Sequence, residues 1–249
     1  VGKIIKMKPK KLVITISMDG DEAVNDYIRG VKGGWQRQIE TYKRLRSIPG
    51  VQVVLGMTIS SFNINQYEKA FAAAKAECPW IKPVDFHMNI AHESSHYYGN
   101  TGSEAFDKNT DKVIEQVNRY ITLRGFPSGL ISIIERRYLR YVERYLKTMI
   151  TPMRCHALHS SCFLDPYGDV YSCTMYNARV ANLREYGFDL RSVWKSQRAL
   201  QLKKEIWEYK CPQCWTPCEA YQSIFGNLLG NRNTPQNKNM TDSVMCGRE

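Results

Sequence analysis

The pattern of apolar and polar residues along the first 90 positions predicts strands that alternate with helices. Three short runs rich in β-branched and apolar residues predict strands at 11–17, 51–60 and 83–90. The first run is apolar at most positions, which is typical of a strand buried on both faces. Helical spacing predicts helices between the strands, at about 34–47 and 67–77. This alternation favours right-handed crossovers and a parallel α/β sheet.

Two longer helices are predicted next, at about 103–123 and 129–149. The buried stripe predicted for the second helix consists of Leu130, Ile134, Tyr138, Tyr141 and Tyr145. Its basic positions are Arg136, Arg137, Arg140, Arg144 and Lys147. A solvated face accounts for these charges, and an acidic partner or nucleic acid is the alternative.

The composition changes at about Thr151-Pro152, which predicts a boundary between residues 1–150 and 151–249. The second part contains most of the cysteines and one further predicted helix, at 190–208. Its last residues, from Gly230 onward, are polar and predict a mobile tail.

Composition and charge limit the functional classes. The chain has 249 residues, a formal net charge of +11 and a hydrophobic content of 43%, which is ordinary for a globular protein. No apolar run approaches the roughly 20 residues of a membrane span, and the start lacks the pattern of a signal peptide. We therefore expect a cytoplasmic protein without a membrane partner. The basic charge permits nucleic-acid binding but does not establish it, and we regard that partner as unlikely.

The cysteines carry the clearest chemical signal. Six of the eight fall in two patches, and Cys246 follows near the end. The patches are Cys155, Cys162 and Cys173, followed by Cys211, Cys214 and Cys218. Thiolates are soft ligands, and a C-x2-C pair joined to distant cysteines suits zinc or an iron–sulfur cluster. The turn residues 166–169 lie between two short strand-like runs, so a hairpin could bring Cys162 close to Cys173.

A second motif points to a different chemistry. His92-Glu93-Ser94-Ser95-His96 matches the HExxH pattern of zinc peptidases, which requires a helix so that both imidazoles face one metal. Here the segment leaves a predicted strand and enters a loop, and no clear third ligand follows. We therefore expect a loop and not a peptidase site.

Two longer patterns resemble one enzyme family. Residues 155–173, with Asp165-Pro166-x-Gly168-x4-Cys173, resemble the auxiliary-cluster module of radical S-adenosylmethionine (radical SAM) enzymes, called the SPASM or twitch domain. The segments 182–184 and 193–196 resemble the linker of that module, and Cys211-x2-Cys214-x3-Cys218 falls where its second cysteine group belongs. Upstream, residues 16–20 with 28–30 and residues 57–63 resemble the fourth and fifth barrel strands of the family.

The resemblance implies an α/β fold. Residues 1–150 would form the C-terminal half of a partial (β/α) barrel with connecting helices, and residues 151–249 a small α+β cysteine-rich SPASM/twitch domain. The catalytic cluster of the family is held by C-x3-C-x2-C, and that motif is absent from this chain. We therefore expect the C-terminal part of a longer enzyme or a truncated reading frame. Such a part would be inactive alone, and its open sheet edge would make it poorly stable.

The resemblance also implies a set of ligands. Two fully cysteine-ligated [4Fe–4S] clusters need eight thiolates. Seven cysteines remain when Cys78, which we expect to be a buried small side chain, is excluded. By resemblance, Cys155, Cys162, Cys173 and Cys218 would hold one cluster. Cys211, Cys214 and Cys246 would hold a second cluster with one open or non-cysteine position. A single cluster held by four of the seven is equally compatible.

For S-adenosylmethionine, the resemblance implies contacts from Ser17, Asp19, Arg29 and Asn63. An arginine suits the methionyl carboxylate, while local turn chemistry is the alternative role for all four residues. The complete enzyme would cleave S-adenosylmethionine to a 5′-deoxyadenosyl radical, which abstracts hydrogen from a peptide or other small-molecule substrate. Its electron donor would be a flavodoxin or ferredoxin. The alternative function is a zinc-ribbon-like binding module on an α/β domain, with nucleic acid as a candidate partner.

Overall fold

The protein is described by a computed structural model that covers residues 1–102, 109–127 and 129–229. The helices are α1 (Gly2–Lys6), α2 (Glu22–Arg29), α3 (Gly34–Arg46), α4 (Tyr67–Glu77), α5 (Thr110–Arg124), α6 (Leu130–Thr148), α7 (Leu190–Trp194), α8 (Gln197–Trp207) and α9 (Pro217–Leu229). The strands are β1 (Leu12–Ser17), β2 (Val51–Ile59), β3 (Phe86–Ile90), β4 (Phe163–Leu164), β5 (Asp169–Tyr171) and β6 (Arg179–Asn182). Short 3₁₀ turns occupy Pro83–Asp85 and Leu183–Tyr186. The first residues of the predicted 103–123 helix, the predicted tail and Cys246 lie outside the described residues.

The first three strands form a parallel sheet in the order β1-β2-β3, which confirms the predicted α/β class. The sheet is open, and a partial barrel stays a prediction. One face, which includes Leu55, Met57 and Phe86, packs into the main apolar core. The prediction that β1 is buried on both faces was wrong, because its side chains alternate between partly buried and exposed. β1 is an edge strand, and its Val13, Thr15 and Ser17 side lies open.

Aromatic side chains fix the helices against the sheet. Tyr67 of α4 makes edge contacts with Phe86 of β3 and Tyr120 of α5, at ring-centre distances of 5.7 and 4.8 Å. In α6 the predicted stripe is buried at Ile134, Tyr138 and Tyr145, whereas Leu130 at its first position is exposed. The main core therefore lies between the parallel sheet and the helices that pack on it.

The cysteine-rich part is an antiparallel meander of β4, β5 and β6 followed by α7 and α8. The predicted hairpin is confirmed, with Gly168 adopting a φ of +89° in the turn that joins β4 to β5. The prediction of one continuous helix at 190–208 was wrong, because the structure has two helices there. Ser196 interrupts it, because its Oγ accepts a hydrogen bond from the N–H of Ala199 at 3.2 Å and begins a new helix, α8.

Two apolar clusters form the interior. The second contains residues of the meander and α8, including Val170, Leu202 and Ile206. Helix α9 and Trp215 join the first cluster, so the chain returns to the α/β core directly after Cys214. The boundary at residue 150 stays a prediction. In the part of the chain that the structure describes, no helix has the length and apolarity needed to span a membrane.

Candidate metal centre

Four cysteine side chains from three separate segments line one cavity. Cys155 precedes β4, Cys173 follows β5, and Cys211 and Cys214 lie in the loop between α8 and α9. The hairpin and the helix pair bring these segments together, although they are distant along the chain. The arrangement concentrates four soft donors in one place, which suits a thiophilic metal or an iron–sulfur cluster.

Backbone groups donate hydrogen bonds to these sulfurs. The N–H of Ala157 lies 3.4 Å from the Sγ of Cys155, and the N–H of Tyr176 lies 3.4 Å from the Sγ of Cys173. Burial raises the pKa of Cys173 to about 11 and moves the pKa of Cys155 in the same direction. The thiols are therefore protonated at neutral pH unless a cation binds and stabilises the thiolates.

Gln213 fixes the loop that carries Cys211 and Cys214. Its backbone has a φ of +59°, a left-handed conformation that is uncommon for a residue with a side chain. The side-chain amide compensates by donating to the carbonyl of Tyr209 at 2.6 Å and accepting from the N–H of Thr151 at 3.1 Å. The sequence pattern did not predict a role for Gln213. Its position between Cys211 and Cys214 was the only feature of the sequence that could have indicated one.

The space between the four thiols is small. Its volume is ≈ 20 Å³, room for about one water molecule. Within residues 1–102, 109–127 and 129–229, no group of three or more His, Cys, Asp or Glu side chains is arranged to hold a metal ion directly. The donors fit an iron–sulfur cluster in number and chemistry, and the segments must move apart to admit one.

Cys162 and Cys218 do not line this cavity, although they lie in the same part of the chain. Burial, and then the carboxylate of Glu219, raise the pKa of both thiols. Glu219 is itself buried and accepts hydrogen bonds from Ser161 at 2.9 Å and Gln222 at 3.1 Å. The observed grouping thus differs from the one implied by resemblance, which paired Cys155 and Cys173 with Cys162 and Cys218. With Cys246 outside the described residues, the ligand assignment stays a prediction.

The comparison with protein families decides what this part of the chain is. The family model of the SPASM domain, an iron–sulfur cluster-binding domain, matches residues 155–218. The chain carries a SPASM domain. The resemblance drawn from the cysteine pattern is confirmed for this segment, and the four thiols of the cavity all lie within it.

Two solved structures are similar to the chain. Native anSMEcpe with bound AdoMet aligns at 12% identity and a TM-score of 0.48, covering 88% of this chain and 66% of that one. A histidine-tagged form of anSMEcpe with bound AdoMet aligns at 12% identity and a TM-score of 0.47, covering 88% and 64%. The chain spans just under two thirds of the length of these proteins. No curated protein matches it.

His92 joins the sheet to the SPASM domain. It follows β3 in a loop, as predicted, so the HExxH pattern does not form a helix. Its Nε2 accepts a hydrogen bond from the N–H of Trp215 at 3.1 Å, and its Nδ1 donates to the carbonyl of Ile90 at 2.9 Å. Both ring nitrogens are therefore occupied by backbone groups. Burial lowers the pKa of His92 to about 4, which keeps the ring neutral.

Three of the four residues predicted to contact S-adenosylmethionine form one network at the carboxyl ends of β1 and β2. Asp19 pairs with Arg29 at 2.5 Å and accepts from the N–H of Thr58 at 3.0 Å. The buried amide of Asn63 donates to the carbonyls of Asp19 and Thr58, both at 2.9 Å. Ser17 lies apart from this network on the open face of the sheet. The contacts of Asp19 and Asn63 link neighbouring strands, and Arg29 remains partly exposed.

The remaining cysteine in the described residues, Cys78, is fully buried in the main core beside Tyr42. This position confirms the expectation of a buried small side chain, and it provides a control thiol that belongs to a different apolar cluster from the thiols of the SPASM domain.

Proposed function

We propose that the SPASM domain holds an auxiliary [4Fe–4S] cluster through Cys155, Cys173, Cys211 and Cys214. The observation that carries the proposal is the convergence of these four thiols on one cavity. A [4Fe–4S] cluster needs four thiolates, which is the number that the cavity supplies. When bound, the cluster would supply an electron acceptor or a coordination position for a substrate.

The protein residues around the cavity would orient and tune the ligands. The N–H groups of Ala157 and Tyr176 already point at sulfur, and such hydrogen bonds affect the reduction potential of a ligated cluster. Apolar residues, including Met175 and Ile206, line part of the remaining space and limit the access of water, and the Glu219 side chain lines it as well. The loop held by Gln213 is the element expected to shift when the thiols separate around the cluster.

We propose further that the chain belongs to a radical SAM enzyme. The support is the SPASM domain, the parallel sheet that precedes it, and the polar network at the carboxyl ends of β1 and β2. Arg29 and Ser17 would meet S-adenosylmethionine, while Asp19 and Asn63 would hold the ends of the strands in place. The motif C-x3-C-x2-C is absent from these 249 residues, so residues outside them would hold the catalytic cluster. A peptide or other small molecule would be the substrate, and a flavodoxin or ferredoxin the electron donor.

The cluster is tested by iron and acid-labile sulfide analysis of the anaerobically purified chain. We expect about four iron and four sulfide per chain for one cluster. Single Cys→Ser variants at positions 155, 173, 211 and 214 should each lose most of this iron. Cys78→Ala is the matched control and should retain it, because its thiol lies in the other core.

Two other outcomes would change the assignment. About eight irons per chain, with half lost in Cys162→Ser or Cys218→Ser, would indicate a second cluster and the ligand grouping implied by resemblance. Stoichiometric zinc without sulfide would contradict the proposal and favour the zinc-ribbon-like alternative.

A further inference from the structure

The turn between α5 and α6 exposes apolar side chains that the core does not use. Phe126 is 94% exposed, and Leu130 and Ile133 are about half exposed. Leu130 and Ile133 are three positions apart on α6, so they share one face of the helix. Large apolar side chains that are exposed close together are characteristic of sites that contact another molecule.

A groove continues from these side chains along α6. Its volume is ≈ 470 Å³, and it is lined by Pro127, Ile133, Arg136, Arg137, Arg140 and Tyr141. Phe126 adjoins the groove, because the guanidinium of Arg136 lies 5.9 Å from the centre of its ring. The groove therefore has apolar residues near the turn and three arginines further along the helix.

The arginines of the groove have no carboxylate beside them. None of the six lining residues is acidic, and within residues 1–102, 109–127 and 129–229 no ion pair includes a groove arginine. The guanidinium of Arg136 donates to the carbonyl of Gly125, and that of Arg137 donates to the hydroxyl of Tyr141 at 3.3 Å. Other basic residues of α5 and α6 do pair with carboxylates, namely Arg119, Arg124 and Lys147. Three unpaired guanidinium groups on one groove give it a positive potential that attracts an anionic ligand.

The wall of the groove at Tyr141 is held in place from behind. The ring of Tyr141 is partly buried and makes an edge contact with Trp215 at a centre distance of 5.9 Å. Trp215 is itself buried, and its indole N–H donates to the carbonyl of Tyr138 in α6 at 3.0 Å. A groove that lies on a helix and has a fixed wall loses little conformational entropy when a ligand binds.

The combination of apolar and basic groups selects one kind of occupant. A nucleic acid would bring phosphates to the arginines, but its bases stack on aromatic rings and have no use for aliphatic side chains such as Leu130 and Ile133. A lipid surface is flat and does not enter a groove. An amphipathic helix with acidic residues offers both an apolar face and carboxylates, which match the fork of a guanidinium. Arg136 and Arg140 are one helical turn apart, which is the spacing at which a second helix repeats its side chains.

We propose that this groove binds an acidic amphipathic helix of a partner protein. Phe126, Leu130 and Ile133 contact the apolar face of that helix, and Arg137 and Arg140 bind its carboxylates. The inference goes beyond the proposed function, since the groove contains neither the thiols of the SPASM domain nor the residues assigned to S-adenosylmethionine.

The test is fluorescence anisotropy of a labelled peptide that is titrated with the full chain. The probe is a capped peptide of about 15 residues, near the minimum length for a helix in water, with leucine and phenylalanine on one helical face and glutamate on the other. We expect saturable binding that weakens as salt is added, because exposed charges are screened. A peptide of the same composition, scrambled so that it has no apolar face, should bind about tenfold more weakly.

Variants of the groove separate its two contributions. Arg137→Gln combined with Arg140→Gln should weaken binding of the probe by about tenfold, because the carboxylates lose their guanidinium partners. Phe126→Ser should also weaken binding but leave the salt dependence unchanged. The matched control is Arg144→Gln combined with Lys147→Gln, which removes the same charge from the same helix outside the groove and should change the affinity by less than about twofold. All five positions are exposed, and the near-ultraviolet circular dichroism of each variant checks its folding.

Four outcomes would overturn the inference. Equal affinity for the probe and the scrambled peptide, or equal losses in the two double variants, would mean that the chain attracts negative charge in general. Tighter binding to single-stranded DNA or to anionic phospholipid vesicles, lost in the variant of Arg137 and Arg140, would assign the groove to that ligand instead. A dimer in sedimentation equilibrium that Phe126→Ser dissociates would assign the exposed side chains to a second copy of the chain. Iron content does not enter these readouts, so the cluster proposal is tested separately.

Discussion

At the scale of single residues, the first histidine of a catalytic motif is used here as a structural link. His92 bonds the N–H of Trp215, 123 positions further along the chain, and the carbonyl of Ile90 beside it. Its ring stacks on Tyr145 at a centre distance of 5.4 Å. The N–H that donates to Nε2 can do so only while the ring is neutral. The motif was visible in the sequence, but its role depended on the loop conformation and on the position of Trp215.

This role predicts a dependence of stability on pH. The folded pKa of His92 is about 4, below the ordinary value of 6.5, so between these values the unfolded state binds more protons. His92 should therefore contribute stability that is present above about pH 6.5 and is lost as the pH falls toward 4, by about 3 kcal/mol.

The measurement is urea unfolding of wild type and His92→Gln between pH 4 and pH 7. The difference between the two proteins should shrink as the pH falls. The control variant is His159→Gln, at an exposed position. Its free energy of unfolding should keep most of the pH dependence of the wild type. Parallel curves for wild type and His92→Gln would show that the ring does not titrate in this way.

At the scale of elements, helix α9 depends on a close approach to the segment that carries Cys155. A Cβ built on Gly226 would lie 2.3–2.8 Å from ring atoms of His156, which is closer than side chains tolerate. That ring in turn contacts Trp207 at a centre distance of 5.6 Å. Glycine at position 226 thus allows α9 to pack against the chain just after the first proposed ligand.

Gly226→Ala should consequently lower the free energy of unfolding by about 1–3 kcal/mol through overpacking. It should also reduce the iron content after anaerobic reconstitution, because His156 adjoins Cys155. Thermal unfolding and iron analysis provide the two readouts. Gly129→Ala is the control, since nothing lies within 4 Å of its added Cβ. Wild-type stability and iron content in Gly226→Ala would contradict the packing argument.

At the scale of the whole molecule, the proposed iron–sulfur cluster lies where the two groups of buried apolar side chains meet. The loop with Cys211 and Cys214 leads directly into Trp215, whose indole N–H donates to the carbonyl of Tyr138 in α6 at 3.0 Å. All four thiols, including those of Cys155 and Cys173, also pack against the apolar cluster of the meander. Bound iron would therefore add direct bonds between segments that packing and hydrogen bonds already hold together.

Loading should slow amide hydrogen exchange by about tenfold or more in residues 155–218, because a ligand that binds the folded state stabilises it. Exchange in β1 to β3 should change little. The comparison is made between the apo and the reconstituted chain by mass spectrometry, with Cys173→Ser as a control that cannot load fully. If loading slowed exchange equally in residues 155–218 and in β1 to β3, or did not slow it in residues 155–218, a cluster at this site would be excluded.

The sequence by itself determined the strands of the parallel sheet, helices α3 to α6, the hairpin at Gly168 and the thiol chemistry of the second part. These features follow from local periodicity, turn residues and ligand type, which neighbouring residues specify. Only the tertiary structure decided which cysteines share a cavity, which face of β1 stays open and what His92 contacts. Those outcomes depend on packing between segments distant in the chain. The same holds for the pairing of His87 with Glu135, because no local pattern records that β3 and α6 meet.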